Sequence, residues 1–243
     1  SAGAGNLISG NSSIGLSLFN STGNTVQGNT IGLDKTGTIA LANGDVGLEI
    51  DGSSNNTIGG TTAAARNIIS ANTGSGIDIY HAGATGNTVL GNYIGTDITG
   101  AVDLGNAGDG ISIRLSAASN TIGGSAAGAG NVISGNDASG IWLTGGGSGN
   151  AIAGNLIGTN AAGTGALGNT TDGIVVTNAT STTIGGTAAG ARNIISGNTG
   201  TGITVGSAAS TTSILGNYIG TDITGAAALA NGGAGVILSG ASN

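Results

Sequence analysis

The chain has no cysteine, no proline and no methionine, and only 6% of its residues are charged. Without cysteine there is neither a disulfide framework nor a thiolate metal site, and the redox compartment leaves no trace. Without methionine the sequence is expected to be an excerpt or a processed chain, not a complete newly translated reading frame. An ordinary soluble domain carries roughly a quarter charged residues, so solubility here falls to Asn, Ser, Thr and exposed backbone. The few charges are unbalanced, four basic against eleven acidic for a net −7, which argues against nucleic acid or an anionic membrane as partner. No apolar run approaches the roughly 18 residues of a membrane span. No window shows a 3.6-residue period, and glycine would cost about 1 kcal/mol per helical position, so an α-solenoid is excluded.

What the chain has is repetition. Gly91-Asn-Tyr-Ile-Gly-Thr-Asp97 returns as Gly216 to Asp222, with variants at Gly28 to Asp34 and Gly154 to Asn160. The starts at Gly28, Gly91, Gly154 and Gly216 are almost evenly spaced. Such regularity means one supersecondary unit stacked many times, so function is to be sought in repeated surfaces. A shorter rhythm runs inside it: Gly47-Leu-Glu-Ile50, Gly76-Ile-Asp-Ile79, Gly110-Ile-Ser-Ile113, Gly140-Ile-Trp-Leu143 and their equivalents from Gly15 to Leu238 recur twice within each long repeat, at alternating shorter and longer steps. Each long repeat is therefore two coils of unlike build.

Every coil carries three short strand signals. The Gly-Ile-x-Ile element, with both aliphatics on one face by its period of two, is followed by Asn-Thr-Ile segments such as Asn56 to Ile58 and Asn120 to Ile122. A third element follows, as at Asn67-Ile-Ile69 and Asn92-Tyr-Ile94. Strands this short pair in register with the next coil about 4.8 Å away. The 53 glycines sit at fixed places and read as turns. The predicted fold is all-β, a right-handed parallel β-helix of triangular section forming one solenoid over residues 1–243. The Asn preceding each inward Ile is expected to stack into amide ladders.

One coil type inserts about fifteen residues after the third strand, as in Gly95 to Asp109; the other places Gly59-Gly-Thr-Thr-Ala-Ala-Ala-Arg66 between strands two and three. The outward third-strand positions Leu7, Ile68, Tyr93, Val132, Leu156, Ile194 and Tyr218 form a mostly apolar stripe, and Leu41, Leu104, Leu167 and Leu229 recur in the long loop. The loop is expected to fold back and cover that stripe. The phrases Gly-Asn-Tyr-Ile-Gly-Thr-Asp, Gly-Ile-x-Ile and Asn120 to Asn136 resemble the parallel β-helix repeats of very large secreted bacterial surface proteins, over the whole chain. The resemblance implies an extracellular or cell-surface structural or adhesive segment, and brings no catalytic motif.

Polysaccharide lyases and hydrolases share this fold class, so an enzyme must be argued from residues. A lyase needs a base near clustered carboxylates; Lys35, Arg66, Arg114 and Arg192 are the only strong bases, and Arg66 and Arg192 are equivalent repeat positions. No non-repeating cluster of carboxylates, bases and aromatics is visible along the sequence, so no catalytic residue is assigned. The candidates for metal are loop aspartates that would hold Ca²⁺: Asp34 with Asp45, and Asp97 with Asp103 and Asp109. Ca²⁺ takes six to eight oxygens, and Asp222 has no second carboxylate, so an Asx turn is the better role for this column and no cofactor is expected. His81 has no partner for a zinc site or triad and reads as a solvated turn residue. Trp142 stands in a column too mixed for a sugar platform. A threonine column at residues 25, 57, 88, 121 and 183 raises ice binding, but it is single and broken by Ala151.

Both ends stop within a coil and lack a polar cap. The expected partners are therefore the chain itself, stacked end to end, or flanking repeats, with surface glycans as the other class. The predicted function is a rigid stalk, fibre or adhesin segment; the competing class is a carbohydrate-binding or polysaccharide-degrading β-helix.

Overall fold

A computed structural model describes residues 5–240. It contains three sheets of parallel strands, each made of the same strand from successive coils, with about 31 residues per turn of a right-handed parallel β-helix. Seven complete coils begin at Leu16, Leu48, Ile77, Ile111, Ile141, Ile174 and Ile203, and are numbered 1 to 7 here. Strands of two to four residues are enough because each strand inside a sheet pairs on both sides; Leu48, Ile77, Ile111 and Ile141 lie in one unbroken register. Their aliphatics point inward and are essentially inaccessible, as are Ile58, Ile122 and Ile184 of the second strands and Ile69, Ile133 and Ile195 of the third.

The expected ladders are present. Before the third strand, asparagines 6, 29, 67, 92, 131, 155 and 193 each pass a side-chain N–H to the next carboxamide oxygen at 2.9–3.1 Å, the series ending at Asn217. A shorter ladder, Asn24 to Asn150, precedes the second strand. It ends where position 182 is Thr, whose buried hydroxyl finds no partner. A third ladder that the strand pattern did not announce runs from Asn11 through Asn43, 72, 106, 136, 169 and 198 to Asn231 at the corner ahead of the first strand. Most members also donate to a main-chain carbonyl, as Asn92 does to Ile58 at 2.9 Å. Bends that would strand buried peptide groups are thereby satisfied at all three corners.

The stripe on the third-strand sheet is covered at its even-coil positions, but not as the leucines suggested. Odd-numbered coils carry the long loop, and its turn hydrogen-bonds to the turn two coils away: Ile98 N donates to Gly37 O, Ala161 N to Gly100 O and Ile223 N to Gly163 O, at 2.8–2.9 Å. These bridges pass over the even coils and bury Ile68, Val132 and Ile194. Leu41 is 46% exposed and approaches Gly10 at the neighbouring corner instead, and the equivalent leucines accept from Ala71, Gly135 and Gly197 there. The chain ends, on which the stacking expectation turns, include residues outside those described.

Candidate functional site

The outward face of the first-strand sheet breaks the repeat in coils 2 to 4. Alternation along a strand sends every second residue outward, and in coils 1 to 4 the first strand is four residues long, one more than in coils 5 to 7. The extra position forms a second outward column. Register places Glu49, Asp78 and Ser112 side by side in one column and Asp51, Tyr80 and Arg114 in the other. Three carboxylates, a phenol and a guanidinium scattered along the sequence from Glu49 to Arg114 thus share a patch three strands wide.

Their contacts are specific. Arg114 Nε lies 3.0 and 3.1 Å from the two Asp78 oxygens and its Nη2 2.5 Å from Oδ2. Arg114 Cζ also stands 4.5 Å from the Tyr80 ring centroid. The Tyr80 hydroxyl donates to Glu49 Oε2 at 2.7 Å, and Ser17 donates to Glu49 Oε1 at the same distance. His81 sits just past the strand at φ +71°. It tilts against Tyr80 with centroids 4.6 Å apart, and its Nδ1 is 2.5 Å from Asp51 Oδ1. The His81 side chain is 53% exposed, so the dyad opens to solvent, whereas Asp78 is 5% exposed.

Burial dominates the titration of Asp78 and pushes its carboxyl up, with Arg114 pulling the other way. The paired carboxylate raises the Arg114 guanidinium in turn. Tyr80 is pushed up by burial and by its bond to Glu49, so the phenol stays protonated. Asp109, ahead of the next first strand, is also raised by burial, although it accepts the Ser139 amide at 2.9 Å. The patch can hold hydroxyl-bearing or cationic groups against its carboxylates.

The loop aspartates serve their own turns. Asp34 accepts from Thr36 Oγ1 and from the amides of Thr38 and Ile39. Asp97 and Asp222 repeat the pattern, and Asn160 keeps two of the amides. Asp103 caps Gly105, and Asp45 is exposed beside Gly74. Among the described residues no three His, Cys, Asp or Glu side chains converge as a metal site, so Asp97, Asp103 and Asp109 are not brought together around an ion, and Asp34 and Asp45 gain no third such ligand. Trp142 stands between Ser112 and Val175. The threonines form one column, broken at Ala151. Arg66 and Arg192 stack on Tyr93 and Tyr218, each 3.9 Å from the ring centroid.

No protein-family model and no curated protein matches the chain. Solved structures do. Two crystal structures of mutants of the periplasmic alginate epimerase AlgG align with TM-scores of 0.56 and 0.51 at 16% and 19% identity, over 94% and 83% of this chain. The chain spans 47% and 36% of those proteins. A likeness at this identity establishes the shared parallel β-helix and leaves chemistry to the residues.

Proposed function

We propose that the chain is a rigid axial segment of an exported bacterial surface protein, a stalk, fibre or adhesin element that sets distance and direction. The observation that carries this reading is the continuity of the interior: the sheets, the aliphatic columns and two of the three amide ladders run through all seven coils. At about 4.8 Å per coil they make a rod of roughly 34 Å. Small-angle scattering from one chain and from a tandem fusion is the test. Length should double at constant cross-section; a fusion that bends freely at the join overturns the reading.

The patch of Glu49, Asp51, Asp78, Tyr80, His81 and Arg114 favours a second reading, a β-helix that binds or modifies a saccharide. The neighbours described as alginate epimerases support saccharides in general. The patch's own charge supports a neutral or amino-bearing sugar over a polyanion. Glycan binding that is lost on His81→Ala and Tyr80→Phe, with the fold intact, is expected; retention of binding in both variants rejects it.

A further inference from the structure

A second surface repeats, on the third-strand sheet, between the ladder of loop turns and the Gly-Ala inserts of the even coils. In coil 2 the insert ends in a short 3₁₀ turn, Ala63–Ala65, and in coil 6 in Ala189–Ala191; Arg66 and Arg192 follow. Each arginine is clamped in the same way. Its guanidinium lies on the tyrosine of the next coil, and its Nε donates to the carbonyl of Gly91 at 3.2 Å or of Gly216 at 2.9 Å.

On the other side of each arginine the tyrosine position is occupied by a smaller residue, Thr30 in coil 1 and Leu156 in coil 5, and a notch opens there. One notch, about 360 Å³, is walled by Thr30, Ala63, Arg66, Ile68 and Ile98. The other, about 220 Å³, is walled by Leu156, Ala189, Arg192, Ile194 and Ile223. In coil 4 the arginine position is Gly130 and the bridging turn brings Ala161 in place of isoleucine. The notches thus recur every fourth coil, about 19 Å apart along the axis.

Charge identifies the occupant. The chain has four strong bases, and two of them stand at these equivalent points. Among the described residues neither forms an ion pair, whereas Arg114 does. The carboxylate patch belongs to the first-strand sheet, a different face of the solenoid. A guanidinium held flat on an aromatic ring keeps its planar fork for a carboxylate or sulfate. The isoleucines beside it offer apolar surface to a ring face, the usual make-up of a small-ligand site. We infer that the two notches are paired subsites for one linear acidic polysaccharide laid along the helix axis, an anionic group of the polymer meeting Arg66 and another meeting Arg192.

The test uses end-labelled polygalacturonate oligomers of graded length, size-matched dextran sulfates, neutral dextrans and a polyglutamate, read by fluorescence anisotropy on the intact chain. Once an oligomer spans about 19 Å, affinity should rise at least tenfold through bivalent attachment, and the gain should shrink with salt. The carboxylate and sulfate series show which anion is preferred. Arg66→Gln or Arg192→Gln alone should abolish the length-dependent step. Thr30→Tyr or Leu156→Tyr should do the same while leaving both arginines in place, because they install the side chain that positions 93 and 218 already accept. Matched melting curves establish that the variants fold. Four results overturn the inference: no binding to wild type, equal binding of neutral dextran, tighter binding of a polyglutamate, or an unaltered step in the tyrosine variants.

Discussion

Replacing Asn92 by Ala tests what the ladders contribute. The side chain is inaccessible and makes four hydrogen bonds. Its oxygen accepts from Asn67 N at 3.1 Å and Asn67 Nδ2 at 2.9 Å, and its nitrogen donates to Asn131 Oδ1 at 3.1 Å and Ile58 O at 2.9 Å. Some partners survive its loss: Asn67 Nδ2 keeps Val26 O, and Asn131 Oδ1 keeps the amide of residue 92. The Asn67 amide is left buried with no acceptor, and the Ile58 carbonyl loses a donor. An orphaned buried group costs about 1–3 kcal/mol; with the small void added, the expected loss is about 3 kcal/mol. Asn6→Ala is the internal control. It lies on the same ladder but is exposed and only donates, to Asn29, so under about 1 kcal/mol is expected. Denaturant melts at unchanged m-value give both numbers. Equal losses at the two positions would refute the accounting. Asn92→Asp should be worse than Ala near neutral pH and partly relieved in acid, because a carboxylate would face Ile58 O and Asn131 Oδ1 until protonated.

Three further outcomes are expected. Gly95→Ala, at φ +88° with its new Cβ 2.2 Å from Ser134 O, should cost well beyond the roughly 1–2 kcal/mol of a left-handed residue; Gly23→Ala, at φ +72° with open space around it, should cost only that, as parallel thermal melts would show. Arg114→Met leaves Asp78, 5% exposed, without its guanidinium partner; because that guanidinium is 37% exposed, the expected loss is reduced to about 2 kcal/mol, and since burial then raises the Asp78 carboxyl with no opposing Arg114, the deficit in chemical melts should narrow as pH falls through the variant's own, higher value. Asp34 and Asp222 are held below 3.8 chiefly by bonds from Thr36 and Thr224, and Asp97, against the opposing effect of its burial, by Thr99; the turn amides assist all three. Their contribution is present above 3.8 and lost as pH falls through the lower folded value, so the amide resonances of Ile39, Val102 and Ala227 should titrate there while Gly165, bonded to Asn160, does not.

The fold was legible because its determinants repeat in phase: Gly-Ile-x-Ile sets one strand, and Asn before an aliphatic sets two corners. The third ladder was harder to read, since Asn43 or Asn106 lies several residues ahead of its strand and beside no inward aliphatic. The patch was missed for a different reason. Aligning the x of Gly-Ile-x-Ile finds Glu49, Asp78 and Ser112, but Asp51, Tyr80 and Arg114 stand beyond the motif, on a strand extension peculiar to the first four coils. The uneven length of successive coils also hides which of them are neighbours until register is known. The cover over Ile68 has no signature in the recurring Leu41 and Leu104; the residue after the turn aspartate, Ile98 or Ile223, is the one carried back to the preceding loop.

The bridges between loop turns skip a coil, and this gives the solenoid a parity. Gly37 reaches Ile98, Gly100 reaches Ala161 and Gly163 reaches Ile223, so an odd coil recognises only the next odd coil. Deleting a single coil would leave every sheet able to close its strand pairing, yet would set a turn against a Gly-Ala insert and uncover Ile68 or its equivalent. Lengthening or shortening this rod without a fault is therefore possible only in whole double coils, and a gene encoding it can change by unequal exchange only in steps of one double coil, never of one coil.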